Sequence, residues 1–285
     1  MRGLKDYFKK AEKEKWAMGQ FNVSNLEGLK AVFQAARSLK SPVIVGTSEG
    51  EGSYWGLKEI SHLVNFLSKE YRFPIFLNLD HGKTFDYIKE AIDAGYPAVH
   101  FDGSRMDLKE NINKTREIVR YSEKKGVFLE GEVGSILGSS AILDKAPQIR
   151  AEDLTRPEDA GLFSQETKVK SLAVSIGNFH GVGKSGDGPK IDLQRLKEIK
   201  ETVGNLPLVL HGGSGIPEDD LKSAIQLGVV KININTELRS AFTLALREAV
   251  SSGEIAPYKY LPETIQAVQK VVEEKIRIFG SINKI

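Results

Sequence analysis

Eight times along this chain a short β-rich run is followed by an amphipathic helical stretch. The expected strands cover 20–23, 43–46, 75–79, 98–101, 127–133, 171–176, 206–210 and 229–234. Between them, apolar residues recur at helical spacing, as in Leu26, Leu29, Phe33 and Ala36, or in Leu238, Ala241, Phe242, Ala245 and Ala249. Strict alternation of this kind selects parallel strands with helices outside. Eight such units in about 250 residues suit a closed barrel. An open doubly wound sheet is the rival, but no Gly-x-Gly-x-x-Gly follows the first strand. A charged helix over 4–15 precedes the first unit and a helix over 262–279 follows the last. The expected fold is therefore α/β: a (β/α)8 TIM barrel with an N-terminal helix and a C-terminal helical extension. No low-complexity linker interrupts it, so one domain is expected over 1–285.

Bulk properties narrow the function classes. The 40 basic and 38 acidic side chains leave a formal charge of +2, which gives no reason to expect nucleic acid or a membrane surface as partner. An anionic ligand must be held by a local site. There is no cysteine, so any metal site must be built from His, Asp and Glu. A cytoplasmic setting fits that composition. The N-terminal stretch is charged and lacks the apolar core of a secretory leader. No apolar run approaches the roughly 20 residues of a membrane span.

Chemistry-bearing residues gather where the strands end. Of five histidines, His81, His180 and His211 lie just past the third, sixth and seventh strands. Barrel active sites form at that rim. Three imidazoles with one open position form a catalytic zinc arrangement, and nitrogen donors without thiolate favour Zn²⁺, with Co²⁺ or Fe²⁺ as alternatives. His62 falls in a helix and His100 inside a strand, and both are assigned to structure. Asp80 precedes His81, which makes it the general acid/base candidate. Asp102 and Glu132 end the fourth and fifth strands, placed to bind metal or to hold a ligating imidazole. Glycine- and hydroxyl-rich loops follow: Gly181 and Lys184 after His180, then Gly212, Gly213 and Ser214 after His211, then Asn233, Asn235 and Thr236 on and after the eighth strand. Backbone N–H groups of such loops bind phosphate, and barrels commonly place phosphate there.

Seven segments together resemble one family. They are Gln-Phe-Asn-Val (20–23), Leu-Asp-His-Gly (79–82), Phe-Asp-Gly-Ser (101–104), Glu-Gly-Glu-Val-Gly (130–134), Leu-Ala-Val-Ser-Ile-Gly-Asn-Phe-His-Gly (172–181), Leu-Val-Leu-His-Gly-Gly-Ser-Gly (208–215) and Lys-Ile-Asn-Ile-Asn-Thr-Glu (231–237). Their order and spacing resemble the class II, metal-dependent ketose-bisphosphate aldolases. The resemblance implies zinc on His81, His180 and His211, with Asp80 as proton carrier and Asp102 and Glu132 as acids of an alternative metal position. It implies phosphate at Gly181, Lys184, Gly212 and Ser214, where a monovalent cation (Na⁺ or K⁺) assists. Asn233, Asn235 and Thr236 match the loop at the dihydroxyacetone-phosphate end, and Asn22 and Ser48 match polar contacts to substrate. A homodimer or homotetramer is implied too.

The implied reaction is reversible cleavage of a ketose 1,6-bisphosphate, fructose 1,6-bisphosphate first, to dihydroxyacetone phosphate and glyceraldehyde 3-phosphate. Tagatose 1,6-bisphosphate differs at one stereocentre and is the alternative substrate. Lys231 invites a Schiff-base reading, but three histidines favour metal. One departure is plain. After Glu132 the family carries a glycine pair and two adjacent acids on a mobile loop; here no acid appears before Asp144. Either Asp144 substitutes, or proton handling differs, or the substrate does. A barrel that binds metal and phosphate with weak or altered activity, and a metal-dependent hydrolase, are the readings from other classes.

Overall fold

The computed structural model describes residues 2–184, 188–251 and 253–285. After α1 (Leu4–Glu14) come β1 (Met18–Asn22), α2 (Leu26–Ser38), β2 (Val43–Ser48), α3 (Glu49–Trp55), α4 (Leu57–Glu70), β3 (Ile75–Gly82), α5 (Phe85–Asp93), β4 (Ala98–Phe101), α6 (Leu108–Lys125) and β5 (Phe128–Val133). The second half holds β6 (Gly138–Leu143), α7 (Pro157–Thr167), β7 (Ser171–Val174), β8 (His180–Gly183), α8 (Leu193–Val203), β9 (Leu208–Leu210), α9 (Glu218–Gln226), β10 (Val229–Ile234), α10 (Thr236–Ser251) and α11 (Pro257–Ile278). Eight parallel strands close in the order β1-β10-β9-β7-β5-β4-β3-β2, as the alternation predicts.

Two apolar layers hold the barrel. The larger lies between strands and outer helices, from Phe21 and Val45 through Leu129 and Leu172 to Ile232, with Phe163, Leu196 and Val272 on the helices. The smaller closes one mouth. Leu4, Tyr7 and Phe8 of α1 pack on Met18, Ile44, Phe76, Ala98, Phe128 and Val230, each the first or second residue of its strand. The N-terminal helix therefore plugs the N-terminal mouth, with Phe8 edge-on to Phe128 at 5.3 Å. That leaves the C-terminal mouth for chemistry.

The inner face of the barrel is polar at its upper end. Side chains two apart on a strand share a face, and the pairs Gln20/Asn22, Asn78/Asp80, Glu130/Glu132 and Lys231/Asn233 all point inward and are buried. They satisfy one another: Asn78 Nδ2 donates to Gln20 Oε1 at 2.9 Å, and Lys231 Nζ donates to Glu130 Oε2 at 2.8 Å.

Three local features go beyond the eight repeats. Between β5 and α7, β6 pairs in parallel with β8 in a separate two-stranded ribbon, Gly138 opposite His180 and Ile142 opposite Val182. The polar stretch 47–52 is ordered: β2 runs to Ser48, and α3 starts on a capping box between Ser48 and Glu51. The last helix begins at Pro257, and Pro262 lies inside it. Among the described residues, no helix is long and apolar enough to cross a membrane.

Candidate active site

β3 does not turn at Asp-His-Gly but runs on through Gly82. His81 sits in the left-handed region at φ 53°, a conformation that costs a non-glycine residue about 1–2 kcal/mol. Its backbone N–H donates to His100 Nδ1 at 3.1 Å. Gly82 has no room for a Cβ, which would stand 2.9 Å from the His100 carbonyl. His100 thus braces the strained residue. This corrects the assignment of His100 to structure alone: it is fully buried, its ring lies 4.7 Å from those of both His81 and His211, and its Nε2 lacks a hydrogen-bond partner among the described residues.

Each of two rings is anchored through one nitrogen. His81 Nδ1 is 2.9 Å from Asp102 Oδ2, and His211 Nε2 is 2.8 Å from Glu130 Oε1. A carboxylate accepts, so the anchored nitrogens carry the protons. His81 Nε2 and His211 Nδ1 then face each other at 2.9 Å. Such a pair is satisfied by a shared proton or by a cation. Burial would push the His81 imidazole down, but the Asp102 bond and the charges of Asp80 and Glu132 override it and raise it to about 9. Burial and the nearby His81 push His180 down to about 3 and His211 well below its usual value. His180 is thereby a neutral donor, its ring 4.8 Å from that of His81 and 6.3 Å from that of His211.

The donor set fits a cation such as Zn²⁺, which takes neutral imidazole nitrogens steadied by outer carboxylates. Donor atoms of Asp80, His81, His100 and His211 lie within 4.8 Å of one another, as do those of His81, Asp102 and Glu132. Asp102 anchors His81, and Glu132 is the open donor. Both Glu132 oxygens are buried without a hydrogen bond among the described residues, and His100 Nε2, though 3.2 Å away, is not aligned to supply one. Burial, then repulsion from Asp102, raises the Glu132 carboxyl.

Asp80 is clamped from both sides. Asn22 Nδ2 donates to Oδ2 and Asn233 Nδ2 to Oδ1, each at 2.9 Å. Burial favours the neutral acid, yet His81, His211 and Lys231 outweigh it and hold Asp80 well below the usual carboxylate range. It is an ionised carboxylate of fixed orientation, one residue from a candidate metal ligand.

Above these groups opens a cleft of about 330 Å³. Its lining includes Asn22, Ser48, Asp80, His81, Asp102, His180, Gly181, Gly212, Ser214, Asn233, Asn235 and Thr236. The carboxamide oxygens of Asn233 and Asn235 are buried without partners among the described residues, so the cleft presents unmatched acceptors. Of the other expected residues, His211 and Glu132 lie buried beneath. Gly213 donates its N–H to Asn233 O and packs where a Cβ would meet Ile232 at 2.6 Å. Lys184 does not reach the cleft; it pairs with Asp144 at 2.5 Å on the exposed surface. That pairing also takes Asp144 away from the role of replacement loop acid. A larger groove of about 870 Å³ beside α3, α4 and α5 is lined by no histidine.

Sequence reasoning missed several members. Lys83, Arg105, Arg239 and the ribbon residues Ile136 and Gly138 to Ser140 line the cleft. Glu51 lies buried beside it. Its carboxylate accepts from Asn22 Nδ2 at 3.0 Å, Ser48 N–H at 2.9 Å, Ser48 Oγ at 3.0 Å, Ser24 Oγ at 3.2 Å and Arg239 at 2.6 Å. The spacing Ser48-x-x-Glu51 was the available signal.

The family model for class-II fructose-bisphosphate aldolase matches residues 2–284. A fructose-bisphosphate aldolase of Streptococcus pyogenes serotype M3 is 39% identical, over 96% of this chain and 96% of its own. A Bacillus subtilis protein named 6-phospho-5-dehydro-2-deoxy-D-gluconate aldolase is 38% identical, over 99% of this chain and 96% of its own. Among solved structures, the YdjI aldolase from Escherichia coli K12 matches with a TM-score of 0.84 at 31% identity, covering 99% of this chain and 98% of that one. With an anchored imidazole pair, a clamped aspartate and a match along almost its whole length, this chain belongs to the class-II fructose-bisphosphate aldolase family, whose members are metal-dependent carbon–carbon lyases.

Proposed function

We propose that the protein cleaves and forms the C3–C4 bond of a ketose 1,6-bisphosphate, with fructose 1,6-bisphosphate as first substrate and dihydroxyacetone phosphate and glyceraldehyde 3-phosphate as products. The observation that carries this reading is the pair of facing nitrogens on His81 and His211 beside the doubly clamped Asp80. His81, His180 and His211 would hold the cation, Zn²⁺ first and Co²⁺ or Fe²⁺ as alternatives. When bound, it supplies a Lewis acid that spreads the negative charge developing next to the ketone.

The chain's own groups do the rest. Asp80 accepts the C4 hydroxyl proton in cleavage and returns it in condensation. Asn22 and Asn233 keep its oxygens aimed. The unmatched oxygens of Asn233 and Asn235 suit substrate hydroxyls. Gly181, Gly212 and Ser214 on one side of the cleft suit the phosphate next to the ketone, with Na⁺ or K⁺ assisting. Tagatose 1,6-bisphosphate is the second candidate, and a relative of nearly equal identity named for a sugar acid keeps the far half of the substrate open. A homodimer or homotetramer working in the cytoplasm belongs to the same reading, on the strength of the family.

A coupled assay with fructose and tagatose bisphosphates tests it, run before and after exhaustive EDTA treatment and again with added Zn²⁺. Loss and zinc-dependent recovery of cleavage is the expected result. Activity that survives chelation sinks the metal mechanism, and no cleavage of either sugar with zinc restored sinks the substrate assignment.

A further inference from the structure

In the ring β1-β10-β9-β7-β5-β4-β3-β2, a strand four places away stands across the mouth. β3 is opposite β9, and β4 is opposite β10. The first phosphate is suited by Gly212 and Ser214 after β9, beside Gly181 of the ribbon, and the hydroxyls next to it by Asn233 and Asn235 at the end of β10. A substrate laid across the mouth from there ends over β3 and β4. Lys83 directly follows β3, and Arg105 lies four residues past β4. Both line the cleft. Neither side-chain head has a hydrogen-bond or ion-pair partner among the described residues; only the Lys83 backbone is tied down, its N–H donating to Glu49 Oε1 at 2.8 Å.

The alternative place for the far end is already filled. Asn22 and Ser48, which the family resemblance assigns to substrate, spend their donors on Glu51. Glu51 is 6% exposed, and Arg239 neutralises it while also donating to the Ser140 carbonyl at 3.1 Å. An incoming anion there would have to evict a buried carboxylate from five donors or lie against its charge. Asn22 is also committed to Asp80. The cation at that end, Arg239, is therefore taken, whereas Lys83 and Arg105 are not.

We propose that Lys83 and Arg105 are the specificity-determining residues for the far end of the substrate, reading an anionic group there while Glu51 closes the Asn22/Ser48 position to anions. The inference rests on the aldolase reading above and deepens it. An ammonium and a guanidinium lining one cleft suit a phosphate, and a terminal carboxylate shares the needed chemistry.

The test compares zinc-loaded full-length enzyme with Lys83→Met, Arg105→Met and Ser48→Ala variants. Three substrates are used: fructose 1,6-bisphosphate, fructose 1-phosphate, and a ketose 1-phosphate ending in a carboxylate. Loss of either cation should lower the ratio of kcat/KM for the preferred anion-ended substrate over fructose 1-phosphate about tenfold or more, through KM rather than kcat. Whichever anion shows that loss is the source. Ser48→Ala should move the ratio less than about twofold. A ratio that falls in Ser48→Ala and stands still in both cation variants overturns the proposal. Calorimetric binding of hexitol 1,6-bisphosphate against hexitol 1-phosphate reads the same preference without turnover. If wild type cleaves no sugar, the aldolase reading fails, while a hexitol preference abolished in the Lys83 and Arg105 variants still upholds the pair and an untouched one removes it.

Discussion

Lys231 places its ammonium 2.8 Å from Glu130 Oε2 while the other oxygen of Glu130 holds His211 at 2.8 Å. Both side chains are buried. The lysine is therefore the counterion of the carboxylate that orients a candidate metal ligand, and its ammonium is committed below the cleft. Lys231→Met leaves Glu130 buried without its counterion, held only by His211 and Ser171, and should cost about 3–5 kcal/mol of stability, read by urea denaturation. Borohydride treatment of wild type with substrate should trap no adduct; a trapped adduct on Lys231 reinstates the Schiff base.

Asp80→Ala removes the proton carrier but none of the three histidines. Turnover should fall by about 10²–10⁴-fold with zinc content retained, measured by steady-state kinetics beside elemental analysis. Retained turnover takes the role from Asp80.

Asp102→Asn keeps the shape of the group that anchors His81 and removes its charge. Zinc affinity should weaken by about 10–100-fold, the usual effect of disturbing an outer partner of a ligating imidazole. Competition with a chromophoric chelator reads this directly. An affinity unchanged within error takes the anchoring role from Asp102.

Metal should also stabilise the fold, because the facing nitrogens of His81 and His211 exist as a pair only in the folded barrel. Zinc at a thousandfold excess over its dissociation constant should add about 4 kcal/mol. Thermal unfolding with EDTA and with zinc measures the difference. Coincident curves dismiss the site.

Gly138→Ala tests the ribbon. Gly138 has φ +89°, and a Cβ there runs into the His180 carbonyl. The substitution should push His180 off its position, lowering zinc affinity and turnover together, while circular dichroism shows the barrel intact. Loss of turnover with zinc affinity preserved would falsify this link.

The barrel was legible because its signal is repetitive: eight strands, each followed by a helical stripe, tolerate a misplaced boundary. The His81 and His211 positions were legible because imidazoles at strand ends have one rim to occupy. His100 escaped for a physical reason that could have been applied. It lies two residues before Asp102, hence on the same strand face, just as Glu130 precedes Glu132 and Asn78 precedes Asp80. Position inside a strand reads as position away from the site, yet the upper inward layer of a barrel is the floor of its active site. Glu51 escaped because a Gly- and Glu-rich stretch reads as a loose loop, although Ser48-x-x-Glu51 spells a capping box. Lys83, Arg105 and Arg239 carry no spacing signal at all; long side chains reach the cleft from the backbone outside it. Lys184 and Asp144 failed oppositely, since two opposite charges, each one residue past its ribbon strand, pair on the surface.

His180 is the one histidine of the three that the barrel itself does not carry. It stands on β8, whose only ladder among the described residues is to β6, across from Gly138 and next to residues that wall the cleft. The strand that brings the third nitrogen is thus half of a ribbon whose other strand lines the cleft. A cation held on His180 would therefore also hold the ribbon, and by linkage whatever steadies the ribbon would tighten the cation by the same free energy.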